Sequence, residues 1–235
     1  MNAQQKPQLF TIHFAGGNCY SFNFLKQYLD PYFEVVALEL PGRGKRMIEP
    51  LLKDVHLATT DLLNEWTKKR KQGVPFGIYG HSMGALLGFE LTKRQEHEEP
   101  LFLVVSGNTG PTIEREEICY NLETPNFIEK LKKLGGIPEE VFENSELFGF
   151  FEPILRADFE LVERYETDAA AKINTPIYAV MGSTETYVSS IENWRNFTTA
   201  FCDISIMEGN HFFINDQPEA LAKLLKKAMD ETLAY

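Results

Sequence analysis

The 235-residue chain is 43% hydrophobic and 24% charged and carries a formal charge of −11, the composition of a folded globular protein long enough to bury a substantial core. That charge argues against a nucleic-acid partner, since phosphate binding draws on lysine and arginine, and no apolar run approaches the ~20 residues that cross a bilayer. The opening "MNAQQKPQLF" lacks a basic segment followed by an apolar one, and Cys19, Cys119 and Cys202 show no metal spacing, so the expectation is free thiols in a reducing cytoplasm, with no metal and no cofactor.

In chain order, "LFTIHF" (9–14) reads as a buried strand, and a helical period runs over 18–29. "FEVVALEL" (33–40) is the second strand, and 54–71 the next helix, its basic end "KKRKQG" (68–73) placing cations where the helix dipole favours them. "PFGIYG" (75–80) is followed by a helix over 83–97, and "PLFLVVSG" (100–107) closes the first half. From about 110 to 170 the rhythm fails, with "TPNFIEKLKKL", "IPEEVFEN" and "SELFGFFEPILRADFELVERY" all suited to helices. The pattern resumes with strands at "PIYAVMG" (176–182) and "CDISIMEG" (202–209) and helices over 189–200 and 217–232. Strands alternating with helices predict an α/β fold with a mostly parallel sheet flanked by helices. Because the strands resume after it, the 110–170 segment reads as a helical insertion over the sheet within one domain spanning 1–235.

"GHSMG" stands between the strand "FGIYG" and the helix "ALLGFEL". A serine on such a sharp turn, G-x-S-x-G, is strained and exposes its hydroxyl above the carboxyl end of the sheet, and the flanking glycines remove side chains that would collide. Ser82 is therefore the candidate nucleophile rather than a helix cap. A serine hydroxyl needs a base. Of the five histidines, His81 adjoins the serine but should leave the turn in another direction, His13 sits in the first strand, and His56 and His97 lie in or beside surface helices. His211, in "EGNHFFI" between the last strand and the last helix, is the candidate base. The acid should precede it in chain order. The loop after "VVSG" offers none, whereas "STETY" offers Glu185, with Asp203 and Glu208 as alternatives at the last strand. For the oxyanion the backbone N–H groups of Met83 and of Ala15, in "FAGGN", are the candidate donors. No G-x-x-x-x-G-K-[ST] follows "AGG", which argues against a phosphate loop. Cys19 lacks the elbow context and reads as a small buried residue at the head of a helix.

These residues, with "HFAGGN", "LELPGRGKR", "GHSMGALLGFEL", "LGGIPEEV", "LRADFELVERY" and "GNHFFI", resemble the type II thioesterases that accompany nonribosomal peptide and polyketide synthases, along essentially the whole chain. The resemblance implies an α/β-hydrolase fold with a mobile helical lid. It also implies hydrolysis of acyl or aminoacyl thioesters on the phosphopantetheine arm of an acyl- or peptidyl-carrier protein, clearing misloaded groups. Two departures are visible: glutamate stands at 185 where the family usually has aspartate, and "IHFAGG" replaces a proline-then-histidine run. In the insertion Phe148, Phe151, Leu155, Phe159 and Val162 recur at spacings of three and four, forming an apolar face expected to pack chiefly on the body and secondarily to line the acyl site. The chain is expected to act as a monomer, without membrane or nucleic acid. A triad alone would serve an acyl-coenzyme A thioesterase or a small-molecule carboxylesterase equally, and an inactive scaffold would also keep the fold.

Overall fold

Six strands, β1 (Gln8–Ile12), β2 (Glu34–Leu38), β3 (Phe76–His81), β4 (Leu103–Ser106), β5 (Ile177–Gly182) and β6 (Cys202–Met207), form one sheet in the order β2-β1-β3-β4-β5-β6, with every pair parallel. The computed structural model describes residues 5–95, 98–112 and 118–233. The helices are α1 (Lys26–Leu29), α2 (Val55–Lys69), α3 (Met83–Lys93), α4 (Thr124–Leu134), α5 (Glu139–Glu143), α6 (Ser145–Glu163), α7 (Phe213–Asp216) and α8 (Pro218–Leu233).

Central strands β1, β3, β4 and β5 are buried along their whole length, which is why they read as continuous apolar runs rather than alternating ones. Successive residues point to opposite faces. Phe10 and Ile12 join α2 and α3 side chains such as Leu62 and Phe89 in one core, while Leu9 joins Phe22, Leu25 and Leu225 in the other. The strand order reverses between β1 and β3, so the turns leaving their carboxyl ends diverge and open the crevice where ligands of such sheets bind.

Two predicted helices differ in form. Over 18–29 only a 3-10 turn at Asn23–Leu25 and the single turn α1 form, although Phe22, Leu25 and Leu29 are buried at the anticipated spacing. The segment Val188–Phe197 is 3-10 rather than α-helical. Helix α3 stops at Lys93, and His97 lies outside the described residues. The basic run ending α2 is held by acids: Lys68 and Lys69 pair with Glu65, Arg70 with Glu98 and Lys71 with Glu34. No helix among the described residues is long and apolar enough to cross a membrane.

Helices α4, α5 and α6 stand between β4 and β5. Pro125 opens α4 and Gly135, at φ +80°, ends it, while Asn144 caps α6 by accepting from the N–H groups of Glu146 and Leu147. Phe127, Leu131, Phe148 and Leu155 build a core of the insertion's own, with Phe151 and Phe159 packed against it. This revises the expectation that the Phe148-to-Val162 face packs chiefly on the body. The face divides along α6, only Leu161 and Val162 near its end entering the main core, because α4 and α5 cover the rest.

Candidate active site

Ser82 joins β3 to α3 at φ +55° and ψ −113°, the single non-glycine residue with positive φ among those described. Its neighbours explain why the turn tolerates this. A Cβ on Gly80 would overlap the carbonyl of Gly84, and one on Gly84 the carbonyl of Ile12 in β1. The turn is also pinned from β4: the Ser82 N–H donates to the Ser106 carbonyl at 2.7 Å, and Asn108 Nδ2 donates to the Ser82 carbonyl at 3.2 Å. Trp194, fully buried, fixes that loop by donating from Nε1 to the Asn108 carbonyl at 2.8 Å. Ser82 itself is half-buried.

Glu185 and His211 arrive on the loops after the neighbouring strands β5 and β6. One carboxylate oxygen accepts the Gly182 N–H at 2.8 Å and the other meets His211 Nδ1 at 2.7 Å. Contacts between the two loops, Ser183 N–H to the Met207 carbonyl and Thr184 N–H to the Gly209 carbonyl, hold this pair in register. Among the described residues it is Glu185, rather than Asp203 or Glu208, that meets His211. Asp203 pairs with Lys227 on α8, and the Glu208 carbonyl accepts from Gln217. Gly107, just after β4, lies against both His211 and His81, leaving no room for a side chain. Ser82, His211 and Glu185 thus all stand on turns at the carboxyl end of the sheet, on either side of β4.

His81 does not simply turn away, as the sequence suggested. Its ring lies 5.0 Å from that of His211 and is fully buried, with Nδ1 2.8 Å from Ser106 Oγ, which also meets the Tyr79 hydroxyl at 3.0 Å. Burial holds His81 well below the usual histidine range and Tyr79 above its own. A neutral ring thus floors the site beneath His211. His56 lies on α2 beside Arg94.

The turn after β1 supplies the opposite wall. The Phe14 carbonyl accepts the Gly17 N–H at 2.9 Å and lies 2.9 Å from His13 Nδ1. His13, just beyond β1 rather than in it, is buried, and desolvation together with Arg43 lowers it from 6.5 to about 4. Across the planar trans peptide the Ala15 N–H points away from that carbonyl. Met83 is the first residue of α3, where N–H groups lack helical acceptors. Among the described residues neither the Ala15 nor the Met83 N–H meets an acceptor.

Sequence reasoning missed two carboxylates here. Glu39, buried at the head of "ELPGRG", accepts from the Cys19 N–H at 2.8 Å and the Lys45 N–H at 2.9 Å; Cys19, expected buried at the head of a helix, lies half-buried in a turn ahead of the 3-10 segment. Gly44, at φ +50°, leaves the space that Glu39 fills. Asp158 on α6 pairs with Arg43 and accepts the Gly16 N–H. The insertion closes over the same turns: Leu155 covers Gly16, and Gly136 lies against the Phe212 ring beside His211. Among the described residues no group of three or more His, Cys, Asp or Glu could hold a metal ion.

A strained serine beside a histidine–carboxylate pair, with free N–H groups nearby, has the parts that acyl transfer needs. The sequence model of the thioesterase domain matches residues 7–229. The chain belongs to the thioesterase domain family. It is 31% identical to the gramicidin S biosynthesis protein GrsT of Aneurinibacillus migulanus, over 100% of this chain and 93% of that one. It is 29% identical to a Brevibacillus parabrevis protein named linear gramicidin dehydrogenase LgrE, over 99% and 91%. The solved structure of ClbQ from the colibactin NRPS/PKS pathway superposes with a TM-score of 0.89 at 28% identity, covering 98% of this chain and 99% of that one. The thioesterase therefore has the α/β-hydrolase fold, with α4–α6 inserted after β4.

Proposed function

We propose that this thioesterase cleaves acyl or aminoacyl groups from the phosphopantetheine arm of carrier proteins, clearing blocked or misloaded arms of a nonribosomal peptide or polyketide synthase. What supports the reading is the positive-φ Ser82 and the 2.7 Å His211–Glu185 pair on turns at the same end of the sheet, in a chain whose relatives are named for such pathways. Ser82 Oγ attacks the thioester carbonyl while His211 Nε2 takes its proton, since Nδ1 is engaged by Glu185. The oxyanion is held by the N–H groups of Ala15 and Met83. His211 then returns the proton to the departing pantetheine thiolate, leaving an acyl-serine, and water activated by the same histidine releases the acid. The insertion acts as a lid whose own core is built by Phe148, Phe151 and Phe159, while Leu155 on its inner side covers Gly16 beside the acyl site. The enzyme acts as a cytoplasmic monomer.

One acyl group offered on a carrier protein, on coenzyme A and as an oxygen ester tests the substrate class. The expected order of kcat/KM is carrier thioester, then coenzyme A ester, then oxygen ester. Equal rates on carrier and coenzyme A would make it a general acyl-coenzyme A thioesterase, and a faster oxygen ester would make it an esterase. Because both this chain and the carriers of such synthases are acidic, added salt should leave the carrier rate unchanged or raise it.

A further inference from the structure

The motif residues Arg43 and Asp158 take no part in the chemistry above, yet they form the most deeply buried ion pair among the described residues. Their side chains are 2% and 0% exposed, and the guanidinium meets both carboxylate oxygens, at 2.5 and 2.9 Å. Burying two charges is costly, so the pair is weak evidence for stability as such. Its third contact is more telling. Asp158 Oδ2 also accepts the Gly16 N–H at 2.7 Å, across 142 residues of sequence.

Phe14 to Gly17 form a β-turn closed by the Gly17 N–H on the Phe14 carbonyl, with Gly16 at φ +77° in its third position. Positive φ there belongs to the type II turn, whose central peptide is flipped relative to type I. The Gly16 N–H lies on that central peptide, so the carboxylate fixes which way it faces. Nδ1 of His13 braces the preceding peptide through the Phe14 carbonyl, and that peptide carries the Ala15 N–H. Without Asp158 the turn loses its tie to α6 and its central peptide can flip, leaving the adjoining peptide with its Ala15 N–H held through His13 alone. Arg43 in turn anchors Asp158 from the turn 41–44, so the carboxylate cannot swing out.

We infer that Asp158, anchored by Arg43, is a positioning residue that locks the 14–17 turn so that the Ala15 N–H is aimed at the oxyanion, making α6 part of the catalytic apparatus. The inference rests on the assignment of Ala15 and Met83 as oxyanion donors.

The decisive variant is the double substitution Arg43→Met with Asp158→Leu, which removes both charges together and leaves no buried ion unpaired. The expected result is near-wild-type melting, kcat lower by about 10- to 100-fold with KM within a few-fold, the scale of a misaimed donor, and a parallel slowing of Ser82 phosphonylation by a fluorophosphonate. Recovery of kcat along with stability would overturn the inference. If the double variant does not fold, Asp158→Asn decides, because its amide oxygen can still accept the Gly16 N–H. Hydrogen exchange should then show the Gly16 amide protected and kcat within about threefold of wild type despite a lower melting temperature. A Gly16 amide that exchanges freely in that variant at unchanged kcat, or in the wild-type protein, would overturn it. Wild-type labelling at Ser82 separates the two failures, since its absence would sink the hydrolase reading and its presence would confine any failure to Asp158.

Discussion

The turns at the carboxyl ends of β1 and β3 and the inserted helices α4–α6 face each other across the candidate site, yet they are built in different ways. Around Ser82 the geometry is set by backbone: glycines with no room for a Cβ, carbonyls as neighbours, and N–H groups left over at a helix start. The insertion is set by side chains, a small aromatic and aliphatic core under helices with exposed Leu134, Leu147 and Phe150. Backbone geometry is stiff because only one chain path satisfies it, whereas a small satellite core opens at lower free energy than the global fold. Stiffness is what a nucleophile and an oxyanion site require, and looseness is what a cover over varied acyl groups can use.

Substitutions should separate the two regions. Ser82→Ala removes the nucleophile while deleting few contacts, and kcat should fall by a factor on the order of 10⁴ or more with melting unchanged; a soluble variant with wild-type turnover would end the mechanism. Glu185→Gln should lower kcat by about 10²- to 10⁴-fold through the wrong imidazole tautomer, read as a kcat loss at unaltered KM. Its companion Glu185→Asp tests loop fit: activity drops if the loop is set for glutamate and holds if it is not.

In the insertion, Phe127→Ala should cost about 3–5 kcal/mol of local packing. Hydrogen exchange is the measurement: faster exchange should be confined to α4, α5 and the first half of α6, while β3 stays protected and Ser82 still takes a fluorophosphonate. Uniform loosening of both regions would deny the contrast. The buried His13 gives the body a pH signature. Its folded value of about 4 lies below the ordinary 6.5, so between those values the unfolded chain binds the extra proton and stability rises with pH. Relative to wild type, His13→Asn should shrink the difference in unfolding free energy between pH 7.5 and pH 5 by about 2 kcal/mol, measured by urea unfolding. The smallest effect belongs to the exposed Phe150: Phe150→Gln should change stability by no more than about 0.5 kcal/mol, and only KM for long acyl chains should respond.

The strands were legible because burial on both faces leaves an apolar run that needs no partner to be recognised. Ser82, His211 and Glu185 were legible because each sits at a strand end and the chain order of the loops is fixed by the sheet. Helical period alone does not specify which hydrogen bond closes a turn, so the predicted helices over 18–29 and 189–200 kept a helical spacing of buried residues while taking 3-10 geometry at Asn23–Leu25 and over Val188–Phe197. The division of α6 could not be read, since its stripe is equally apolar where it meets α4 and where it meets the body. Nor could the Asp158 contact with Gly16, the Glu39 caps or the Ser106 link to His81, because a polar partner far away in sequence leaves no periodic trace.

The positive φ of Ser82 has a bearing on how such a protein can be improved. A left-handed backbone favours glycine over any residue with a Cβ, so at this position the best-folding residue and the working one differ. Ser82→Gly would relieve strain on the order of 1 kcal/mol and yield a more heat-resistant protein with no nucleophile. Selection for thermal endurance alone, run without an activity screen, would therefore tend to erase the enzyme at its 82nd residue first.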